Sequence, residues 1–284
     1  PGDLAVVAAI GDSLSAGSGA RSWLMADVGR AYRGHAWSGG GATGSLTLPN
    51  ILRRFAPGLR GAAAGADAAG FNLAVPGAEH DSLVRQAAAL LRQLRDHPDV
   101  DFKRDWKLVT VMIGGNNICR HQLPRAFVNL VPVVDMSQLQ RVKRDPFCQA
   151  ALAVLCPCLA GGRRQNEVRA LVRQYQRAAL RLLETGRYDT RDDFTVVEQP
   201  FTVHGAIPTR RGVVDPAFLA VDCFHPSVWG HEYLAKMLWN SMLTPLAEKV
   251  EQGRNSSDQI KCPDPEHPFL PTRKNSPNVS SAAL

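Results

Sequence analysis

Gly11, Asp12, Ser13 and Leu14 close a short apolar run at residues 4–10 that reads as a strand buried on both faces. A serine on a tight turn after a strand exposes its Oγ and leaves backbone N–H groups pointing outward. The hydroxyl is a poor nucleophile until a base takes its proton, and attack on a carbonyl needs donors for the oxyanion that forms. Read blandly, Asp12 and Ser13 are cap residues opening a helix; at average residue frequencies the tetrapeptide arises in roughly one chain in a hundred of this length. Near the other end stands Asp222-Cys223-Phe224-His225-Pro226-Ser227. A histidine base needs an acceptor on its second ring nitrogen, and an aspartate three residues earlier can curl back to supply it. One histidine among eight is more readily a surface residue beside a helix N-cap. Found together with the Ser13 turn, it makes a coincidence on the order of one in ten thousand.

Two further pieces could complete an oxyanion site. Gly114-Gly115-Asn116-Asn117 ends another apolar run, where Asn116 could aim an amide donor. Gly77 follows Pro76 and could offer a backbone N–H where the absence of a side chain lets substrate approach. Each is equally an ordinary loop when taken alone.

Positioning these residues falls to an alternation of strands and helices. After residues 4–10, short apolar runs recur at 71–75, 108–113, 126–134 and 194–197. Between them, Val84, Ala87, Leu91 and Leu94 recur at helical spacing, as do Val168, Leu171, Val172, Tyr175 and Leu182. A last helix is expected from about residue 228 to 250, with Leu234, Leu238, Met242 and Leu246 on one stripe. The pattern predicts a three-layer α/β/α sandwich around a parallel sheet of about five strands. In such sheets ligands bind beyond the carboxyl ends of the strands, where Ser13, Gly77 and Asn116 would meet. Residues 33–66, rich in glycine and alanine, read as an excursion over the site rim. Residues 1–253 are expected to form the domain, and 254–284, rich in Pro, Ser and Asn, an extended tail or linker.

At 284 residues with 45% apolar content, the chain can bury a proper core. The longest membrane candidate, residues 147–160, is broken by Gln149 and Pro157 and is too short to span. The formal charge of +7 comes mostly from single arginines on helical faces (Arg85, Arg92, Arg95, Arg173), which argues for solvated faces and against nucleic acid. Six cysteines, at 119, 148, 156, 158, 223 and 262, fit no zinc spacing, and no metal or other cofactor is expected. Their even number and the glycosylation sequons at Asn255 and Asn278 point to an oxidising, extracytoplasmic compartment. With the chain opening at Pro1, an export signal is expected outside this piece.

Taken in order, these residues resemble the sequence blocks of the GDSL (SGNH) hydrolase family. The longer segments TLPNILRRF (47–55), FNLAVPGA (71–78), DWKLVTVMIGGNN (105–117), GRYDTRDDFTVVEQPF (186–201) and FLAVDCFHPSVWGH (218–231) are similar to repeats of its phospholipase B branch. The resemblance implies an SGNH-hydrolase, flavodoxin-like fold and a Ser13–Asp222–His225 triad. It also implies an oxyanion hole from Ser13, Gly77 and Asn116. The substrates would be phospholipids and lysophospholipids at a membrane or micelle surface, hydrolysed without a cofactor. It further implies tandem sister repeats, and a place on the extracellular face of the plasma membrane, as an apical ectodomain, or secreted.

Two departures qualify that expectation. Asn117 stands where the family has an acid, which should disturb loop geometry and rate rather than mechanism. Only Arg120, His121, Gln122 and Leu123 separate Cys119 from the next block, where phospholipase B repeats carry an extra segment. A parallel crossover needs about a dozen residues or more, so either the fourth strand is displaced or the chain is a shortened variant. The alternative reading is a catalytically impaired or non-catalytic lipid-binding or spacer repeat.

Overall fold

The computed structural model describes residues 1–65, 68–78, 81–112, 124–142, 146–157, 164–186, 188–204, 207–249 and 259–276. Four strands form one parallel sheet in the order β1 (Leu4–Gly11), β2 (Trp106–Met112), β3 (Ala126–Leu130) and β4 (Phe194–Glu198). Side chains alternate between its faces with the period of two that a pleated strand imposes. Val6, Ala8 and Ile10 of β1, with Val109 and Val111 of β2, pack under α3 (Ser82–Asp96) and α5 (Gln165–Glu184) through Leu83, Leu90, Leu94 and Leu183. Val7, Leu108 and Phe127 face the other way, onto α2 (Leu48–Leu52) and α7 (Val228–Met242) through Leu52, Leu238 and Trp239. Both faces are covered, which is why the strands read as continuous apolar runs. The expected three-layer α/β/α sandwich is the fold observed.

The expected strand at 71–75 is instead an irregular edge. It is bonded to β1 through Ala9 N–H to Phe71 O at 3.0 Å, Leu73 N–H to Ala9 O at 2.8 Å and Val75 N–H to Gly11 O at 3.1 Å. Further back the same flank of β1 is taken by Arg60, whose N–H reaches Ala5 O and whose O accepts from Val7 N–H, each at 2.9 Å. The edge is thus shared by two pieces of chain. From β1 the chain goes first to this edge and later returns across to β2, so the order reverses at β1, beside Ser13.

Other expectations shift in detail. The chain at 33–65 does more than cross a rim, because Trp37, Leu48 and Leu52 are fully buried core residues. Helix α7 ends at Met242, short of the expected residue 250, since Pro245 has no N–H to continue the ladder and a separate 3-10 turn follows at Leu246–Glu248. Strand β3 lies directly beside β2, with Lys107 opposite Ala126, so the short connection has not displaced it within the sheet. That connection, residues 113–123, lies outside the described residues.

Helix α4 (Pro146–Leu155), the short α6 (Phe201–His204) and a two-residue hairpin of β5 (Thr209–Arg210) with β6 (Val213–Val214) surround the carboxyl side of the sheet. Residues 259–276 hold no helix or strand and lie along α7. There Trp239 Nε1–H donates to Lys261 O and Asn240 Nδ2–H to Gln259 O, each at 2.8 Å. The expected boundary at 253 falls outside the described residues. Among the described residues no helix is long and apolar enough to cross a membrane.

Candidate active site

Strand β1 delivers Ser13 to the carboxyl edge of the sheet, where a single helical turn, α1 (Ser13–Ala16), begins. Asp12 caps it, with Oδ1 accepting from Leu14 N–H at 2.9 Å. Burial pushes the Asp12 carboxyl above its usual range, and that hydrogen bond and the charge of His225 oppose the push. Three distant side chains pin the turn. Gln86 of α3 clamps Gly11 through both backbone groups, accepting from its N–H at 2.8 Å and donating to its O at 2.9 Å. Asn72 Nδ2–H donates to Ser15 O at 2.9 Å, and Trp37 Nε1–H to Leu14 O at 3.1 Å. Gly11 has no room for a side chain: a Cβ there would sit 2.5 Å from Ser15 Oγ and 3.1 Å from Met112 O.

The second half of the site is the loop before α7. Cys223 adopts φ 59°, a left-handed conformation that folds the chain back on itself. Ala220 N–H donates to His225 O at 2.7 Å and closes the loop. Asp222, fully buried, accepts from the N–H groups of Phe224 and His225 with one oxygen, at 3.1 and 3.0 Å. Its other oxygen meets His225 Nδ1 at 2.6 Å. Burial alone would raise the Asp222 carboxyl, but the His225 hydrogen bond and charge, with the two backbone donors, hold it below its usual range. An ionised carboxylate can only accept, so Nδ1 carries the proton and the lone pair lies on Nε2. That atom is 3.0 Å from Ser13 Oγ. The structure therefore brings Ser13, Asp222 and His225 into one hydrogen-bonded chain across 212 positions of sequence.

Gly77 lies in the turn just past the 71–75 edge, exposed, at φ 73°, with open space where a Cβ would be. Asn116, Cys119, Asn255 and Asn278 fall outside the described residues.

Sequence reasoning did not find the groups that hold this arrangement. Asn72 stood in a family-like segment without an assigned role, whereas Gln86 and Trp37 carry no local signal. His231, on the first turn of α7 and six residues beyond His225, is completely buried, with Nδ1 accepting from Trp37 N–H at 3.4 Å. Burial, reinforced by the charges of His225 and His35, drives its pKa down to about 3. The disulfide was also open in the sequence: Cys148 of α4 is joined to Cys223, their Cα atoms 5.4 Å apart.

Beside Ser13 and His225 opens an apolar cavity of about 100 Å³. Leu14, Phe224 and Pro226 form its wall next to the site, and Leu139, Leu219 and Met237 lie among its other lining residues. Such a space accepts an apolar chain and gives a charged group almost nothing to bind.

Comparison with known proteins gives these features a context. The profile of the GDSL-like lipase/acylhydrolase family matches residues 7–238. The chain is 39% identical over 320 aligned positions to the membrane-associated phospholipase B1 of Rattus norvegicus, with 97% of this chain covered. It is 38% identical to that of Mus musculus and 35% identical to that of Homo sapiens, again with 97% covered. The chain spans only 22% of the length of the rat and mouse proteins and 21% of the human one.

Proposed function

The chain belongs to the GDSL-like lipase/acylhydrolase family of carboxylic ester hydrolases, and from that premise we propose that it is a serine-dependent lipid acyl-ester hydrolase of the phospholipase B and lysophospholipase type. The observation that carries the reading is the 3.0 Å contact of His225 Nε2 with Ser13 Oγ, backed by the 2.6 Å contact of Nδ1 with Asp222. Ser13 Oγ attacks the ester carbonyl while its proton passes to His225 Nε2. Asp222 fixes the imidazole tautomer and balances the imidazolium. The N–H groups of Ser13 and Gly77 and the side chain of Asn116 stabilise the oxyanion. His225 then protonates the leaving alkoxide, releasing a lysophospholipid or glycerophosphodiester. Water, giving its proton to the same nitrogen, attacks the acyl-serine and frees the fatty acid. The apolar lining of the cavity suits an acyl chain, which supports a lipid ester as substrate.

The relatives' printed names and the fifth of their length that this chain matches support one repeat of a larger membrane-associated protein, and the even cysteine count and the sequons at Asn255 and Asn278 support an extracellular place, membrane-attached or secreted. In that reading sister repeats are its neighbours and Asn255 and Asn278 its glycosylation sites. The segment beyond about residue 253 runs back along α7 through residues 259–261 and then leads on to the next repeat.

A fluorophosphonate probe tests the assignment. It should label the folded chain once, and Ser13→Ala should abolish both labelling and the fatty-acid release that mass spectrometry detects from phosphatidylcholine and its lyso form. Labelling that persists in Ser13→Ala sinks the nucleophile assignment. Vesicle binding without any fatty-acid release supports a non-catalytic repeat instead.

A further inference from the structure

Residues 19–30 form a loop whose base and tip differ in character. Gly19 N–H donates to Arg30 O at 3.1 Å, and Ser18 pairs with Ala31 in an antiparallel bridge, so the ends are closed. The base touches both halves of the candidate site. Ser18 N–H donates to Ser13 O at 3.0 Å, and Val228 N–H, three residues beyond His225, donates to Ala20 O at 3.1 Å. Inside the loop Ser22 and Val28 are buried, and Ser22 Oγ–H donates to Asp27 O at 2.9 Å.

The tip reverses the usual arrangement of apolar groups. Trp23 is 88% exposed, Leu24 66% and Met25 42%. Trp229, 68% exposed on the first turn of α7, stands one residue from the bond between Val228 and Ala20, beside the same base. Single exposed apolar residues are ordinary, but three in succession with a second tryptophan alongside make a patch. Indole rings, apolar in body and polar at one edge, favour the boundary between lipid and water. Two exposed arginines, Arg21 and Arg30, flank the tip against the single carboxylate of Asp27. This local excess of positive charge, on a chain of net charge +7, matches anionic head groups.

We propose that the 23–25 tip and Trp229 form a docking surface that inserts into an anionic lipid–water interface and sets the mouth of the site against it. The choice of occupant rests on the lipid-ester reading above; the manner of binding rests on the exposed indoles and arginines. Because the base is bonded to the backbone of both Ser13 and Val228, a tip seated in lipid places the site at a fixed height over the bilayer. The apolar cavity then receives an acyl chain that need not cross water.

The test uses the full chain with Ser13→Ala, so that turnover cannot alter the vesicles. Sedimentation with phosphatidylcholine vesicles, with and without phosphatidylserine, should show binding that strengthens with the anionic lipid. Adding Trp23→Ser, Leu24→Ser and Met25→Ser should lower it by about tenfold or more. The conservative variants Trp23→Phe and Trp229→Phe should each remove part of the quenching of tryptophan fluorescence by brominated lipid, without threatening the fold. Undiminished binding by the triple variant overturns the proposal. So does a chain that ignores vesicles and instead dimerises through Trp23. With Ser13 intact, hydrolysis of a short-chain, water-soluble ester should change less than about twofold in the tip variants. If neither protein cleaves that ester, the hydrolase reading fails, and the vesicle result still judges the docking surface.

Discussion

His231 shows how a buried residue shapes the molecule's response to acid. Its pKa, about 3 in the folded chain, is near 6.5 when unfolded. Between those values the unfolded chain binds a proton that the folded one refuses. Stability therefore falls as pH drops below 6.5, by up to about 1.4 kcal/mol per pH unit, and this group adds no slope above it. His231→Gln should be less stable than the parent at pH 8, having lost a fitted ring, but the gap should narrow steadily towards pH 4. Urea midpoints measured across that range test it, and a gap independent of pH overturns the assignment. The residues meant to do chemistry were readable because each belongs to a short motif whose geometry is local: Ser13 on a post-strand turn, Asp222 curling back to His225. His231, Gln86, Asn72 and Trp37 were not, because each acts on chain 23 to 194 positions away. Nothing in the residues around them signals a partner at such distance.

Among the elements, α4 has the most to tell about the loop that carries Asp222 and His225. Its Cys148 is bonded to Cys223, one residue after Asp222 and two before His225. Cys223 packs with Leu139, Val142, Leu152 and Val214 in a small apolar cluster, and Leu139 also lines the cavity. The cross-link thus ties the acid–base loop to a wall of the apolar site. Replacing both cysteines by serine should cost about 2–4 kcal/mol of stability. It should also slow fluorophosphonate labelling by between about tenfold and 10²-fold, because a displaced imidazole no longer meets Ser13 at hydrogen-bond distance. Labelling at the parental rate in the folded double variant would show that the loop holds itself. Sequence could not disclose this pairing, since six cysteines allow fifteen connectivities. The split edge was equally hidden: a five-residue apolar run looks the same whether it pairs along its whole length or only with β1. Helix α7 was legible in its stripe but not in its end, where Pro245 outweighs the apolar spacing that continues to Leu246.

Across the whole molecule, the three layers followed from the alternation of short apolar runs with amphipathic helices, because a sheet covered on both faces needs such uninterrupted apolar strands. What composition hid was the seat of residues 259–276, whose prolines and polar groups read as free chain. Their grip on α7 uses the backbone carbonyls of Gln259 and Lys261 and the Lys261 N–H, groups that almost any sequence supplies. Ending the chain at residue 258 removes the bonds donated by Trp239 Nε1–H and Asn240 Nδ2–H and the bond from Lys261 N–H to Asn240 Oδ1 at 2.8 Å. At about 1 kcal/mol for each bond, the thermal midpoint should fall by roughly 5–10 °C for a domain of this size. Scanning calorimetry of the two chains decides it, and equal midpoints would show that the segment merely rests on the surface.

Ser13 stands just after the first strand, and His225 in the loop before α7. During synthesis, then, the nucleophile emerges first and stays without its base until the 212 positions that separate them have followed it. Until that loop arrives, the Ser13 hydroxyl has no imidazole to take its proton. In refolding, hydrolytic power should return last, after secondary structure and compaction, as the closing event of assembly.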